Sequence, residues 1–80
     1  MTMRKRRIKT NGYAVCLRNP GFDASLEVRK LYPVVDDPAA ETHKLIRIID
    51  ESGEDYLYPA RMFRKLFLPA ELQRALRLAS

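Results

Sequence analysis

Hydrophobic positions recur with a period of two over most of this chain and change to helical spacing only near its end. Over residues 13–18, Tyr13, Val15 and Leu17 alternate with Ala14, Cys16 and Arg18, the pattern of a half-buried strand. Asn19 to Phe22 (NPGF) follows as a turn, with Pro20 fixing one φ and Gly21 freeing the next. From Leu26 to Val35, Leu26, Val28, Lys30, Tyr32 and Val34 share one side while Glu27, Arg29, Leu31, Pro33 and Val35 share the other. The β-branched and aromatic content predicts a strand there, centred on Lys30 to Val35, and Pro33 marks an edge or a bulge. Asp36 to Ala39 then opens a polar loop that lasts to about His43.

Residues 44–58 predict a hairpin, its second strand ended by Pro59. KLIRIID and DYLYP read as strands, with ESGE between them as a tight turn in which Gly53 takes the left-handed conformation and Ser52 bonds back to the backbone. Ala60 to Met62 suits one 3₁₀ turn, and Phe63 to Leu68 reads as a last strand. Beyond Pro69, the spacing of Leu72, Ala75, Leu76 and Ala79 predicts a helix over 69–79. Glu71 near its start and Arg77 near its end suit the helix dipole.

The chain is therefore expected to be mainly β, with five short strands and one short helix. Strands this short in 80 residues are expected to curl into a small barrel that shares one interior and protects its edges. The order of elements, with a 3₁₀ turn before the last strand, resembles the Src-homology-3-like barrels. Leu26, Lys30, Leu31, Tyr32, Asp50, Ser52, Gly53, Glu54, Tyr56, Tyr58, Pro59 and Phe63 also resemble the pattern of small uncharacterised bacterial and phage-type barrel proteins. That resemblance covers Ser25 to Phe63 and implies a fold, with no ligand attached to it. Peptide-binding Src-homology-3 domains grip proline-rich ligands with a tryptophan, and this sequence has none, so polyproline recognition does not carry over.

Charge divides the chain. Arg4, Lys5, Arg6, Arg7 and Lys9 carry five positive charges with no acid among them, whereas residues 10–80 hold ten basic and ten acidic side chains. Residues 1–10 are accordingly expected to be a disordered basic arm on a single domain spanning 11–80. Such an arm is a candidate contact for nucleic acid or another anion through charge alone, and equally a terminus that aids solubility. No apolar stretch follows it as in a secretory signal, so a cytoplasmic location and no membrane insertion are expected.

Candidate chemistry is sparse. Cys16 and His43 are the only residues of their kinds, too few for a disulfide or for a zinc site within a monomer. Cys16 reads as a half-buried strand residue and His43 as a solvated loop residue. The acids Asp50, Glu51, Glu54 and Asp55 lack calcium-loop spacing and are explained by turn chemistry. The three glycines form no phosphate loop. A non-catalytic protein is expected, with no catalytic residues, metal or cofactor. Tyr32, Tyr56 and Tyr58 on adjacent strands form a candidate ligand surface, able to stack bases or grip a peptide, unless their rings belong to the core. Three roles are open: a binding or adaptor module for a protein partner, a nucleic-acid-associated protein using the arm, and an accessory subunit docking through Leu72 and Leu76 of the last helix. The chain is expected to be a monomer.

Overall fold

The computed structural model describes residues 10–79, with side-chain surroundings for residues 12–76. Its elements in chain order are β1 (Thr10–Cys16), β2 (Leu31–Val35), α1 (Pro38–Thr42), β3 (Leu45–Ile49), β4 (Asp55–Pro59), a 3₁₀ turn (Ala60–Met62), β5 (Phe63–Leu66) and α2 (Ala70–Ala79). The strands form one antiparallel sheet in the order β4-β3-β2-β1-β5. No helix among the described residues is long and apolar enough to cross a membrane.

The ladder does not close. Among the described residues β4 pairs only with β3 and β5 only with β1, so the expected barrel is an open, curled sheet. The link from β4 to β5 explains this: a three-residue 3₁₀ turn redirects the chain where a hairpin would fold β5 back along β4. Ala14, Cys16, Tyr32, Val34, Ile46, Ile48, Tyr58 and Phe63 supply the concave side, and cross-strand pairing sets Ala14 against Tyr32, Val34 against Ile48 and Ile46 against Tyr58. Leu26 from the long loop and Met62 from the 3₁₀ turn complete the core in place of further strand pairing. Each fully buried side chain of this size contributes about 1.5–3 kcal/mol.

Three local departures from the sequence pattern have physical causes. The strand expected from Leu26 begins at Leu31; Arg29 takes φ 72°, and its amide donates to the Cys16 carbonyl at 2.6 Å. The bulge implied by Pro33 lies across from it, where the β1 register shifts between Thr10 and Tyr13 and Gly12 takes φ 83°. Residues 38–42 are helical instead of loop, because the Asp37 side chain caps the Ala40 amide at 3.1 Å and Pro38 occupies the first turn.

Candidate functional site

The turn of the β3–β4 hairpin carries the densest polar network among the described residues. Asp50 leaves β3 buried, and one carboxylate oxygen accepts from the Ser52 amide at 2.9 Å and the Ser52 hydroxyl at 2.6 Å. The other accepts from the Tyr58 hydroxyl at 2.5 Å. Burial alone would raise the Asp50 pKa, but the hydrogen bonds from Ser52 and Tyr58 outweigh it and hold the carboxyl below its ordinary value. Burial and the same carboxylate push the Tyr58 phenol up.

A second strap runs beside the first. Glu51 accepts from Lys30 at 2.6 Å and from the Tyr32 hydroxyl at 2.5 Å, and these two donors hold its pKa below the usual range. The Glu27 amide donates to the Tyr32 oxygen, and the Glu51 amide donates to the Ser25 carbonyl at 3.0 Å. Together the straps tie the long loop between β1 and β2 onto the hairpin turn. They also give Asp50, Glu51, Tyr32 and Tyr58 partners within the fold.

Beside this network lies a shallow cleft of about 360 Å³ lined by Phe22, Ser25, Asp50, Tyr56, Leu57 and Tyr58. Phe22, Tyr56 and Leu57 stand exposed around it, while the Phe22 ring meets Tyr58 edge-on at 5.0 Å. The cleft therefore offers large apolar side chains over a polar floor, in an acidic neighbourhood that includes Glu54. Its chemistry suits contact with an apolar or cationic side chain.

The continuous tyrosine surface read from the sequence is not formed. Tyr32 and Tyr58 are each 3% exposed and belong to the core, their hydroxyls spent on Glu51 and Asp50, while Tyr56 is 50% exposed. Tyr58 faces Ile46 and Tyr56 faces Ile48, but the concave side runs out of covering atoms at the turn end, so Tyr56 emerges. Cys16 is buried in β1, its thiol donating to the Arg18 carbonyl and its pKa raised by that burial. His43 is exposed at the end of α1, on the far side of the hairpin from the turn. Cys16 and His43 share no hydrogen bond among the described residues. Arg4, Lys5, Arg6, Arg7 and Lys9 lie outside the described residues.

Phe22 and Leu57 went unread as site residues. An aromatic in the fourth position of NPGF, where turn geometry asks for none, was the available signal for Phe22; Leu57 carried none, since its alternation matches a core residue equally well. Compared with known proteins, the chain matches no family model, no curated protein and no solved structure.

Proposed function

We propose that this chain is a non-catalytic binding module that engages a protein partner through the cleft between Phe22 and β4. One observation carries the proposal: Asp50, Tyr58, Ser52 and Glu51 are committed to internal hydrogen bonds, while Phe22, Tyr56 and Leu57 are left exposed beside them. Groups held this way are positioned by partners within the fold and serve to orient a surface. Large exposed aromatic and aliphatic side chains around a shallow hollow supply the contact area of a recognition site. As to fold family, we read the open sheet as a variant of the Src-homology-3-like barrel and of the small bacterial barrels it resembles. Support comes from the strand order and the 3₁₀ turn before β5.

A displayed library of random peptides tests the binding role. The wild-type chain enriches peptides combining apolar with Lys or Arg side chains, and Tyr56→Ser abolishes that enrichment without lowering stability. No enrichment over a bare surface, or equal enrichment by Tyr56→Ser, would sink the cleft as the binding site. A second mode of contact, docking through the last helix, is favoured by a separate observation. Phe67 is wholly exposed just before α2, and Leu72 on α2 is exposed as well. Light scattering of the wild type against a Phe67→Ser, Leu72→Ser double variant reads this mode as a loss of association.

A further inference from the structure

The formal neutrality of residues 10–80 hides a separation of charge along the β3–β4 hairpin. Its turn end carries Asp50, Glu51, Glu54 and Asp55. Its base end leads into a stretch between Asp55 and Glu71 that contains Arg61, Arg64 and Lys65 and no acid. Five residues of strand, about 17 Å, separate the two.

The fold adds cations from remote parts of the chain to that base. The Leu17 and Arg18 amides both donate to the Met62 carbonyl, at 2.8 and 3.4 Å, which sets Arg18 beside the 3₁₀ turn. The Ala60 amide donates to the Lys44 carbonyl at 3.0 Å, which sets Lys44 on its other flank. Arg64 follows two residues into β5, opposite Val15 of β1. Arg18, Lys44, Arg61 and Arg64 are all exposed, and none forms an ion pair among the described residues. Lys65 differs, because Glu41 holds it at 3.3 Å.

The acids are placed elsewhere or already engaged. Asp37 and Asp55 share Arg47, Glu41 holds Lys65, Glu51 holds Lys30, and Asp50 is buried in its hydrogen bonds. Asp23, Glu27, Asp36, Glu54 and Glu71 are exposed, but they belong to the β1–β2 loop, the link before α1, the hairpin turn and α2. The segments that meet at the 3₁₀ turn therefore carry an excess of positive charge. Three of the four cations are arginines, whose planar forks suit phosphate oxygens.

We infer that the surface around the 3₁₀ turn, formed by Arg18, Lys44, Arg61 and Arg64, binds the phosphate backbone of a nucleic-acid duplex. A duplex is favoured over a single strand because no exposed aromatic residue stands in these segments to stack an unpaired base. Phe22 and Tyr56 belong to the cleft, and Phe67 to the link between β5 and α2. A membrane is disfavoured because Phe67 and Leu72, the side chains that would enter it, lie at the opposite end of β5 from Arg61. This surface is separate from the cleft, and the inference does not rest on the peptide-binding proposal.

The test is fluorescence anisotropy with labelled 25-base-pair DNA and RNA duplexes of arbitrary sequence, across a salt series, using the full chain. Wild type is compared with an Arg18→Ala, Arg61→Ala, Arg64→Ala triple variant and with a second variant in which the five basic residues between Arg4 and Lys9 are alanine. Because the three arginines are exposed and form no ion pair among the described residues, the triple variant keeps the wild-type melting temperature within a few degrees. It is expected to bind at least tenfold more weakly at low salt, with the log–log salt slope reduced by about 2–3, near 0.9 for each DNA phosphate no longer neutralised. DNA and RNA both bind, since phosphate is the shared feature. An unchanged affinity and slope in the triple variant would overturn the inference, as would absence of wild-type binding. Binding to vesicles of phosphatidylcholine and phosphatidylserine with none to duplexes would overturn it too.

Discussion

The two ends of the β3–β4 hairpin solve opposite problems with the same kinds of side chain. At the turn, charged and hydroxyl groups are engaged by their own chain: Asp50, Tyr32 and Tyr58 are buried, and Ser25, Glu51 and Ser52 bond to them. At the base, Lys44, Arg61 and Arg18 are left in water without acidic partners among the described residues. Buried and satisfied polar groups rigidify a structure and become costly once a partner is removed. Solvated charges hold little of the fold together and remain free to meet something else. The turn end should therefore respond to mutation and pH through stability, and the base end through binding and salt.

The largest expected effect is at Tyr58, which joins the core to the turn network. Tyr58→Ala removes a ring that packs on Phe22 and Phe63 and is expected to cost about 3–5 kcal/mol in urea unfolding. Tyr58→Phe keeps the ring but leaves one buried Asp50 oxygen without its donor, at about 1–3 kcal/mol. Arg61→Ala at the other end stays within about 0.5 kcal/mol. Equal losses at Tyr58 and Arg61 would erase the distinction between the ends.

Acid sharpens the same contrast. Asp50 has a folded pKa below its ordinary value of 3.8, so its contribution is fully present above that value and disappears as pH falls through the lower folded one. Unfolding midpoints measured from pH 6 down to pH 2 should drop most steeply below about pH 4, and Asp50→Asn should flatten that drop. Glu51 and Asp37, also depressed by their partners, keep it from vanishing. The triple variant of Arg18, Arg61 and Arg64 leaves every carboxylate of the turn in place and should parallel the wild type. A profile unchanged by Asp50→Asn would show that the buried carboxylate is not what acid attacks.

How much of this could be read in advance depended on whether the cause was local. The hairpin and the 3₁₀ turn at Ala60–Met62 were legible because Gly53, Ser52 and Pro59 signal at short range, and β4 occupies the residues expected of it. The short helix at Pro38–Thr42 was missed although its signal was equally local: an Asp37 cap, a first-turn Pro38 and an acid at Glu41. The open edges at β4 and β5 were not legible, since periodicity gives strands without their pairing. For Tyr32 and Tyr58, alternation established a shared side but not which side the core would take. The cations around the 3₁₀ turn were hidden for the same reason, because only the fold brings Arg18 and Lys44 to Arg61.

A smaller effect compares the backbone at the two ends. Gly53 in the turn takes φ 86° with no atom near its missing Cβ, so Gly53→Ala meets no clash and loses only about 1–2 kcal/mol of backbone preference. Lys44 at the base is a non-glycine residue at φ 59°. Lys44→Gly relieves strain there but frees the unfolded chain, and stability should move by less than about 1 kcal/mol. Paired urea titrations check both. A loss at Lys44→Gly as large as at Gly53→Ala would mean that the Lys44 side chain holds the base together.

The smallest effect tests whether the open sheet is clasped by charge. Lys65 occupies a core-side position of β5, opposite Ala14, at the rim of an apolar hollow of about 240 Å³ lined by Ile46, Ala60 and Phe63. Its ammonium reaches Glu41, but both side chains are about half exposed, so the pair is worth at most about 1 kcal/mol. The aliphatic stem covers the hollow more effectively than the charge closes it. Lys65→Met keeps an apolar stem and loses the ion pair. It should unfold within about 1 kcal/mol of the wild type, with the gap narrowing as salt is raised. Lys65→Ala, which uncovers the hollow, should cost more than Lys65→Met at every salt concentration. If Lys65→Met proved the worse of the two, the ion pair and not the stem would be holding β5 to α1 across the gap that the strands leave open.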